Sequence, residues 1–193
     1  MKAMKIGILA IQGGYAAHAA TLERLGAGHA FVREGQDFSG LDGVILPGGE
    51  STTHVRVMTE EGLWDAAKEF AKNGGAFFGT CAGTILLARD VQGPQQASLG
   101  LLDISVLRNG YGRQLASDIH IVPSKLGSKP IEMVFIRAPI ITSAGQGVEI
   151  LADYSGHPVL VRQGKILAST FHPELTSDTT VHEAFLKLAR NGH

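Results

Sequence analysis

A single cysteine, Cys81, stands in Gly79-Thr80-Cys81-Ala82-Gly83, between an apolar run and a segment of helical composition. A thiol at such a strand–turn–helix junction has the setting of a nucleophile elbow, with cysteine where hydrolases place serine. Glycines on both sides relieve the crowding of a sharp turn. The positive end of the following helix favours a thiolate, and the Ala82 N–H is placed to receive an oxyanion. A lone cysteine is otherwise most often a buried apolar side chain, so the chemistry needs a base. Phe171-His172-Pro173-Glu174 offers one. Pro173 biases His172 toward extended geometry, in which residues two apart share a side, so Glu174 can orient the imidazole. A histidine held by a carboxylate is the acid–base group that a cysteine nucleophile requires, although a His-Pro pair read alone is an ordinary surface turn. The third segment is Pro47-Gly48-Gly49-Glu50-Ser51-Thr52-Thr53. Its Gly-Gly peptide can turn an N–H toward a developing negative oxygen. A phosphate cradle is the competing use of such a loop, but neither G-x-x-x-x-G-K-[ST] nor G-x-G-x-x-G occurs in the chain. None of the eight histidines stands within four residues of another, so local zinc spacing is absent.

These segments need elements to position them. Ile6–Ile11, Ala30–Val32, Gly43–Leu46 and Ala76–Gly79 read as buried strands. Between them Tyr15–Leu25 (stopped by Gly26), Thr53–Glu60, Leu63–Asn73 and Ala82–Ala88 read as helices. Strands that are continuous apolar runs, alternating with helices, predict a mostly parallel central sheet covered on both faces. Beyond Asp90 the spacing turns hairpin-like, with extended runs at Leu101–Leu107, Ile119–Val122, Val134–Ile136, Ile150–Ala152, Val159–Val161 and Ile166–Phe171. Val181, Ala184, Phe185 and Leu188 mark one face of a terminal helix followed by Gly192. Thr180 with Glu183 fits a capping box at its start, with Ser177 and Asp178 as rival caps. No linker or repeat divides the chain. The expectation is one α/β domain over residues 1–193 with an antiparallel β excursion, its three chemical segments at the carboxyl ends of strands, where open α/β sheets place their sites.

Composition narrows the function. One cysteine among 193 residues excludes an internal disulfide and a four-cysteine zinc site. A formal net charge of −1 gives no basic excess for nucleic acid or anionic lipid. The first apolar run is too short for a secretory core or a membrane span, so a cytoplasmic protein is expected.

Leu46-Pro47-Gly48-Gly49-Glu50-Ser51-Thr52-Thr53, Phe78-Gly79-Thr80-Cys81-Ala82-Gly83 and Phe171-His172-Pro173-Glu174-Leu175-Thr176 resemble the class I, triad-type glutamine amidotransferases. More narrowly they are similar to the glutaminase subunits of glutamine-dependent pyridoxal 5′-phosphate synthases: other members usually carry a Cys-Leu-Gly elbow, whereas Cys81-Ala82-Gly83 and the Glu-Ser-Thr-Thr tail favour this subunit. Further matches are Leu9-Ala10-Ile11-Gln12-Gly13, Leu99-Gly100-Leu101-Leu102, Arg108-Asn109-Gly110-Tyr111-Gly112-Arg113-Gln114 and Phe135-Ile136-Arg137-Ala138-Pro139. The resemblance implies Cys81 as nucleophile, His172 as acid–base and Glu174 as its orienter, with Gly49 and Ala82 N–H groups as the oxyanion hole. It places Gly49, Glu50, Ser51, Arg108, Ile136 and Arg137 around L-glutamine, either arginine being suited to the carboxylate. It implies no cofactor and no metal. It further implies, as partner, a TIM-barrel synthase subunit that consumes the ammonia, docking near Gln12 and His18 and activating a weakly active free subunit. The rival readings are a glutaminase subunit of another biosynthetic amidotransferase, a cysteine hydrolase of esters or peptides, and a non-catalytic partner-binding subunit.

Overall fold

The computed structural model describes residues 4–110 and 118–190. Strands β1 (Lys5–Leu9), β2 (Gly28–Val32), β3 (Gly43–Leu46) and β4 (Ala76–Thr80) alternate with α1 (Tyr15–Arg24), α2 (Ser51–Glu60) and α3 (Leu63–Lys72), and β4 leads through Cys81 into α4 (Ala82–Leu87). The chain continues through β5 (Ala88–Gln92), β6 (Leu102–Leu107), β7 (Asp118–Val122), β8 (Ile131–Phe135) and β9 (Ile140–Ala144). It then forms β10 (Glu149–Tyr154), β11 (His157–Gln163), β12 (Ile166–Ser169) and α5 (Thr180–Arg190). The main sheet has seven strands in the order β10-β11-β12-β4-β3-β1-β2. From β12 to β2 every pairing is parallel, and β11 and β10 add an antiparallel edge. The expected class, a mostly parallel sheet with helices on both faces and an antiparallel excursion, is the observed one.

Adjacent residues of the central strands face opposite cores, which is why those strands are apolar throughout. Ile45 and Phe78 pack with Ile6, Leu22, Phe171 and Phe185 on the α1–α5 side. Val44, Leu46 and Phe77 pack with Met58, Leu63 and Leu86 on the α2–α4 side. Each fully buried Phe or Leu stabilises the fold by roughly 1.5–3 kcal/mol relative to exposure. The excursion divides between the two faces. The β5-β6-β9 sheet buries Leu102, Ile104, Val106 and Ile141 in the second core, while the β7-β8 hairpin gives Val122, Ile131, Met133 and Phe135 to the first.

Several boundaries differ from the sequence expectation. Helix α4 stops at Leu87 because Ala88 is already extended and enters β5, a strand the hydropathy pattern does not mark. Strand β9 is likewise unmarked, and β8 ends at Phe135, leaving Ile136 in the loop beyond it. At α5 the cap is not Thr180: the Asp178 carboxylate accepts the Thr180 N–H (2.9 Å), and the hydroxyl that reaches Glu183 belongs to Thr179 (2.6 Å). Gly26 does end α1, at φ +66°. Gly192 and the stretch Tyr111-Gly112-Arg113-Gln114 lie outside the described residues. Among the described residues no helix is long and apolar enough to cross a membrane.

Candidate active site

The carboxyl ends of β1, β3, β4 and β12 meet around Cys81. Hydrogen bonding fixes the elbow on its neighbours: Cys81 N–H donates to Ser169 C=O of β12 (2.9 Å), and the Thr84 hydroxyl donates to the same carbonyl (2.6 Å). Cys81 itself has φ +48° and ψ −102°. A residue with a Cβ is strained by about 1–3 kcal/mol in such a region and is held there only by its surroundings. The turn closes because Gly83 has no side chain; a Cβ there would lie 1.8 Å from Leu46 C=O. The first helical bonds of α4 run from Thr84 and Ile85 N–H to Cys81 C=O (3.1 and 3.3 Å). Ala82 and Gly83 thus present the leading N–H groups of the helix beside the sulfur.

His172 follows β12, and its N–H is anchored on Val134 C=O of β8 (2.8 Å). Pro173 then starts a single 3-10 turn, Pro173–Leu175, instead of the continued extended chain expected from the sequence. The turn brings Glu174 to the ring all the same: Oε1 lies 2.8 Å from His172 Nδ1. Cys81 also acts on this imidazole, through hydrogen bonding and charge. Burial pulls the His172 pKa down, but the hydrogen bonds and charges of Cys81 and Glu174 outweigh it and push it up to about 10. Burial raises Glu174, and the facing histidines His18 and His172 more than offset it, leaving the carboxyl below its ordinary value. His172 and Glu174 therefore form an imidazolium–carboxylate pair at neutral pH beside the Cys81 sulfur, which also lies 3.9 Å from Ile136 C=O.

The Gly48-Gly49 loop roofs this group. Gly48 N–H donates to Thr80 Oγ1 (3.1 Å), and its carbonyl accepts from Gly14 N–H (3.2 Å). Across a trans peptide the Gly49 N–H points to the opposite side. Only glycine fits at position 48, where a Cβ would lie 2.4 Å from His172 Cε1. Gln12 and His54 brace the loop from behind: Gln12 Nε2 donates to Glu50 C=O (3.2 Å), and His54 Nε2 lies 3.3 Å from Gln12 C=O. Glu50 has a structural duty as well, since its carboxylate caps α2 by accepting the Thr52 and Thr53 N–H groups. Desolvation is the largest single influence and raises its pKa, but the hydrogen bonds from Thr52 and Thr53 together outweigh it and bring the pKa down to about 2.

A cleft of about 340 Å³ opens over the sulfur. All ten residues singled out from the sequence line it: Cys81, His172, Glu174, Gly49, Ala82, Glu50, Ser51, Arg108, Ile136 and Arg137. They are not alike. Arg108 is nine-tenths buried, pairs with Glu50 at 3.6 Å, and keeps Nη1 without a hydrogen-bond partner among the described residues. Arg137 is more exposed and sits at φ +44°. Ser51 is buried and spends its hydroxyl on Gln96 (2.9 Å). Sequence reasoning missed the residues behind the site, namely Gln12 as a brace, His18, His54, Gln96 and His182. A buried helical histidine has no local pattern to announce it, and only Thr80, inside the elbow motif, was within reach of such reading.

The chain is similar to known proteins over nearly its whole length. A chain from Koribacter versatilis described as "Pyridoxal 5′-phosphate synthase subunit PdxT" is 51% identical over 190 residues, covering 98% of both chains. Its Deinococcus radiodurans namesake is 50% identical over 193 residues, covering 96% of this chain and 97% of its own. A solved structure described as a glutamine amidotransferase superposes with a TM-score of 0.91 at 45% identity, covering 96% of this chain and 98% of its own. A putative GMP synthase subunit from Thermoplasma acidophilum shares the fold alone, with a TM-score of 0.72 at 15% identity. The family model matches residues 8–191, and the chain belongs to the SNO glutamine amidotransferase family.

Proposed function

We propose that this chain is the glutaminase subunit of a pyridoxal 5′-phosphate synthase: it hydrolyses L-glutamine to L-glutamate and ammonia, and passes the ammonia to a synthase partner. The observation that carries the chemistry is the Cys81–His172–Glu174 relay beneath the Gly48-Gly49 loop. The route to this particular partner rests on the near-full-length likeness to chains named as PdxT.

In the resting state His172 is an imidazolium facing the Cys81 sulfur. The sulfur attacks the side-chain amide carbon, and the carbonyl oxygen takes up negative charge between the N–H groups of Gly49 and Ala82. One such donor contributes about 3–4 kcal/mol to the transition state. His172 Nε2, the nitrogen not held by Glu174, delivers its proton to the departing nitrogen, and ammonia leaves a glutamyl thioester. The now neutral His172 takes a proton from water, which attacks the thioester carbon and releases glutamate and the Cys81 sulfur. Glu174 keeps the ring in the tautomer and orientation that both steps need.

Glutamine is a zwitterion at its α-carbon, and the Glu50–Arg108 pair is complementary to it. We assign the α-carboxylate to Arg108, whose Nη1, unpartnered among the described residues, is a buried donor in need of an acceptor. Glu50, ionised down to pH about 2, suits the α-ammonium. Ser51, Ile136 and Arg137 complete the rim. A TIM-barrel synthase subunit docked near Gln12 would keep the ammonia out of water, where protonation removes its nucleophilic lone pair. The deciding experiment measures glutamate release by the wild type and Cys81→Ala, each with and without the synthase subunit. Release that appears with the wild-type complex and vanishes in Cys81→Ala is expected. Release that survives in Cys81→Ala overturns the mechanism, and equal rates for free and docked wild type overturn activation by the partner.

A further inference from the structure

Behind the relay lies a second set of titratable groups that the reaction above leaves unused. His18 of α1 and His182 of α5 are fully buried, as is the side chain of Glu174. His18 Nδ1 lies 2.9 Å from His182 Nε2, and His18 Nε2 lies 3.2 Å from Thr80 Oγ1 and 3.5 Å from Glu174 Oε2. Phe78 packs edge-on against both rings, at 6.0 and 5.5 Å, which fixes their planes. Two atoms of the cluster have no hydrogen-bond partner among the described residues: Glu174 Oε2 and His182 Nδ1.

Those two orphans decide where the protons sit. Burial holds both imidazoles in the neutral form, so one proton lies between His18 and His182. Suppose it sits on His18 Nδ1. Then His182 must carry a buried N–H with nothing to accept it, and His18 Nε2 turns a lone pair toward the Glu174 carboxylate. In the opposite arrangement His182 Nε2–H donates to His18 Nδ1, and His18 Nε2–H points at Thr80 and Glu174. Only an unused acceptor is then left at His182 Nδ1, and an unpaired acceptor is tolerated better than an unpaired buried N–H. Donors to a charged carboxylate are also the stronger kind, and successive bonds polarise one another.

Resting on the glutaminase reading above, we infer that His18 is a positioning residue for the catalytic carboxylate: with His182 behind it, its Nε2–H holds Glu174 Oε2 so that Oε1 stays directed at His172. Thr80 extends the effect, because the oxygen that faces His18 also accepts the Gly48 N–H. One buried imidazole thus braces both the relay and the oxyanion loop. Besides Glu174, the charged groups facing the pair are His172 and, on the His182 side, Arg24.

The first test uses the wild-type chain labelled with ¹⁵N-histidine. Imidazole nitrogen shifts at pH 7 should show His18 and His182 both neutral and both protonated on Nε2. A proton on His18 Nδ1 would overturn the inference. The second test compares two amides of equal polarity in the complex with the synthase subunit. His18→Gln places a donor at the Nε2 position, whereas His18→Asn reaches only the Nδ1 position. His18→Asn should lower kcat about 10-fold with KM within about twofold, and shift the pH midpoint of Cys81 alkylation by iodoacetamide upward. His18→Gln should recover most of both. Equal behaviour of the two amides, or an unmoved alkylation profile in His18→Asn, refutes positioning and leaves mere packing. Absence of Cys81-dependent glutamine hydrolysis in the wild-type complex would sink the glutaminase reading instead, a result independent of the tautomers.

Discussion

The parallel half of the sheet and the antiparallel excursion contribute to the same cleft in different ways. From β1, β3, β4 and β12 come groups locked by backbone: Cys81 is tied to Ser169 C=O, Gly48 to Thr80 and Gly14, and the elbow to β3 through Gly83. From the excursion come Arg108, Ile136 and Arg137, borne on the loops after β6 and β8. Reacting atoms must be held within fractions of an ångström, whereas a charged end of a substrate tolerates a softer grip. Damage in the first region should therefore appear in kcat, and damage in the second in KM.

The sharpest way to break that contrast is Cys81→Ala, which should reduce glutamine hydrolysis by at least about 10³-fold. Synthesis by the complex with added ammonium salt should persist. Next is Gly48→Ala. Its Cβ would press on His172 Cε1, and kcat for glutaminase should fall about 10²-fold or more with KM little changed. In the excursion, Arg108→Ala should do the reverse, raising KM roughly 10- to 100-fold, the equivalent of a lost charge-assisted bond of about 1.5–3 kcal/mol. A kcat effect larger than the KM effect at Arg108 would erase the difference between the two regions.

Stability should separate the regions more gently. His18, His54 and His182 are all held below their ordinary pKa, chiefly by burial. The unfolded chain takes up protons near pH 6.5 that the folded chain refuses, so stability is full above that pH and declines as pH falls below it. The slope is up to about 1.4 kcal/mol per pH unit for each such histidine. His172 works in the opposite sense: its folded pKa is raised to about 10, so its contribution is full below 6.5 and fades as pH rises toward 10. Urea melts from pH 5 to 10 should therefore show a dome near neutrality, and a flat acid limb would contradict the assigned burial. The smallest effect is expected on the excursion's outer strand, where Ile121 is 74% exposed. Ile121→Lys should change the free subunit's stability by less than about 0.5 kcal/mol in the same assay.

The contrast also governs what the sequence makes legible. Cys81, the Gly48-Gly49 loop, His172 and Glu174 are short local motifs at strand ends, and β1 to β4 are continuous apolar runs, so both can be read by eye. Strand β5 begins Ala88-Arg89-Asp90 and carries its two charges on an exposed face, where Arg89 pairs with Asp90 and Asp103. Strand β9 is half exposed. Neither offers a clean period. His182 adjoins Val181 on the apolar face of α5 and reads as a polar neighbour, although it is as buried as Val181. Its partner His18 is 164 residues away in sequence, and no window along the chain brings the two together.

Strand pairing has a further consequence for variation among relatives. The Gly48-Gly49 loop begins two residues beyond Leu46 of β3, and Cys81 stands two residues beyond Gly79 of β4, the residue registered opposite Leu46. The strand spacing of the sheet, about 4.8 Å, therefore sets where the two segments start, and the Thr80, Gln12 and His54 side chains hold the loop from there. Substitutions on exposed helix faces do not alter that spacing. Only a slip in β3–β4 register would displace one segment against the other, and such a slip turns Val44 and Ile45 out of their cores, so the fold itself acts as proofreader for the active-site ruler.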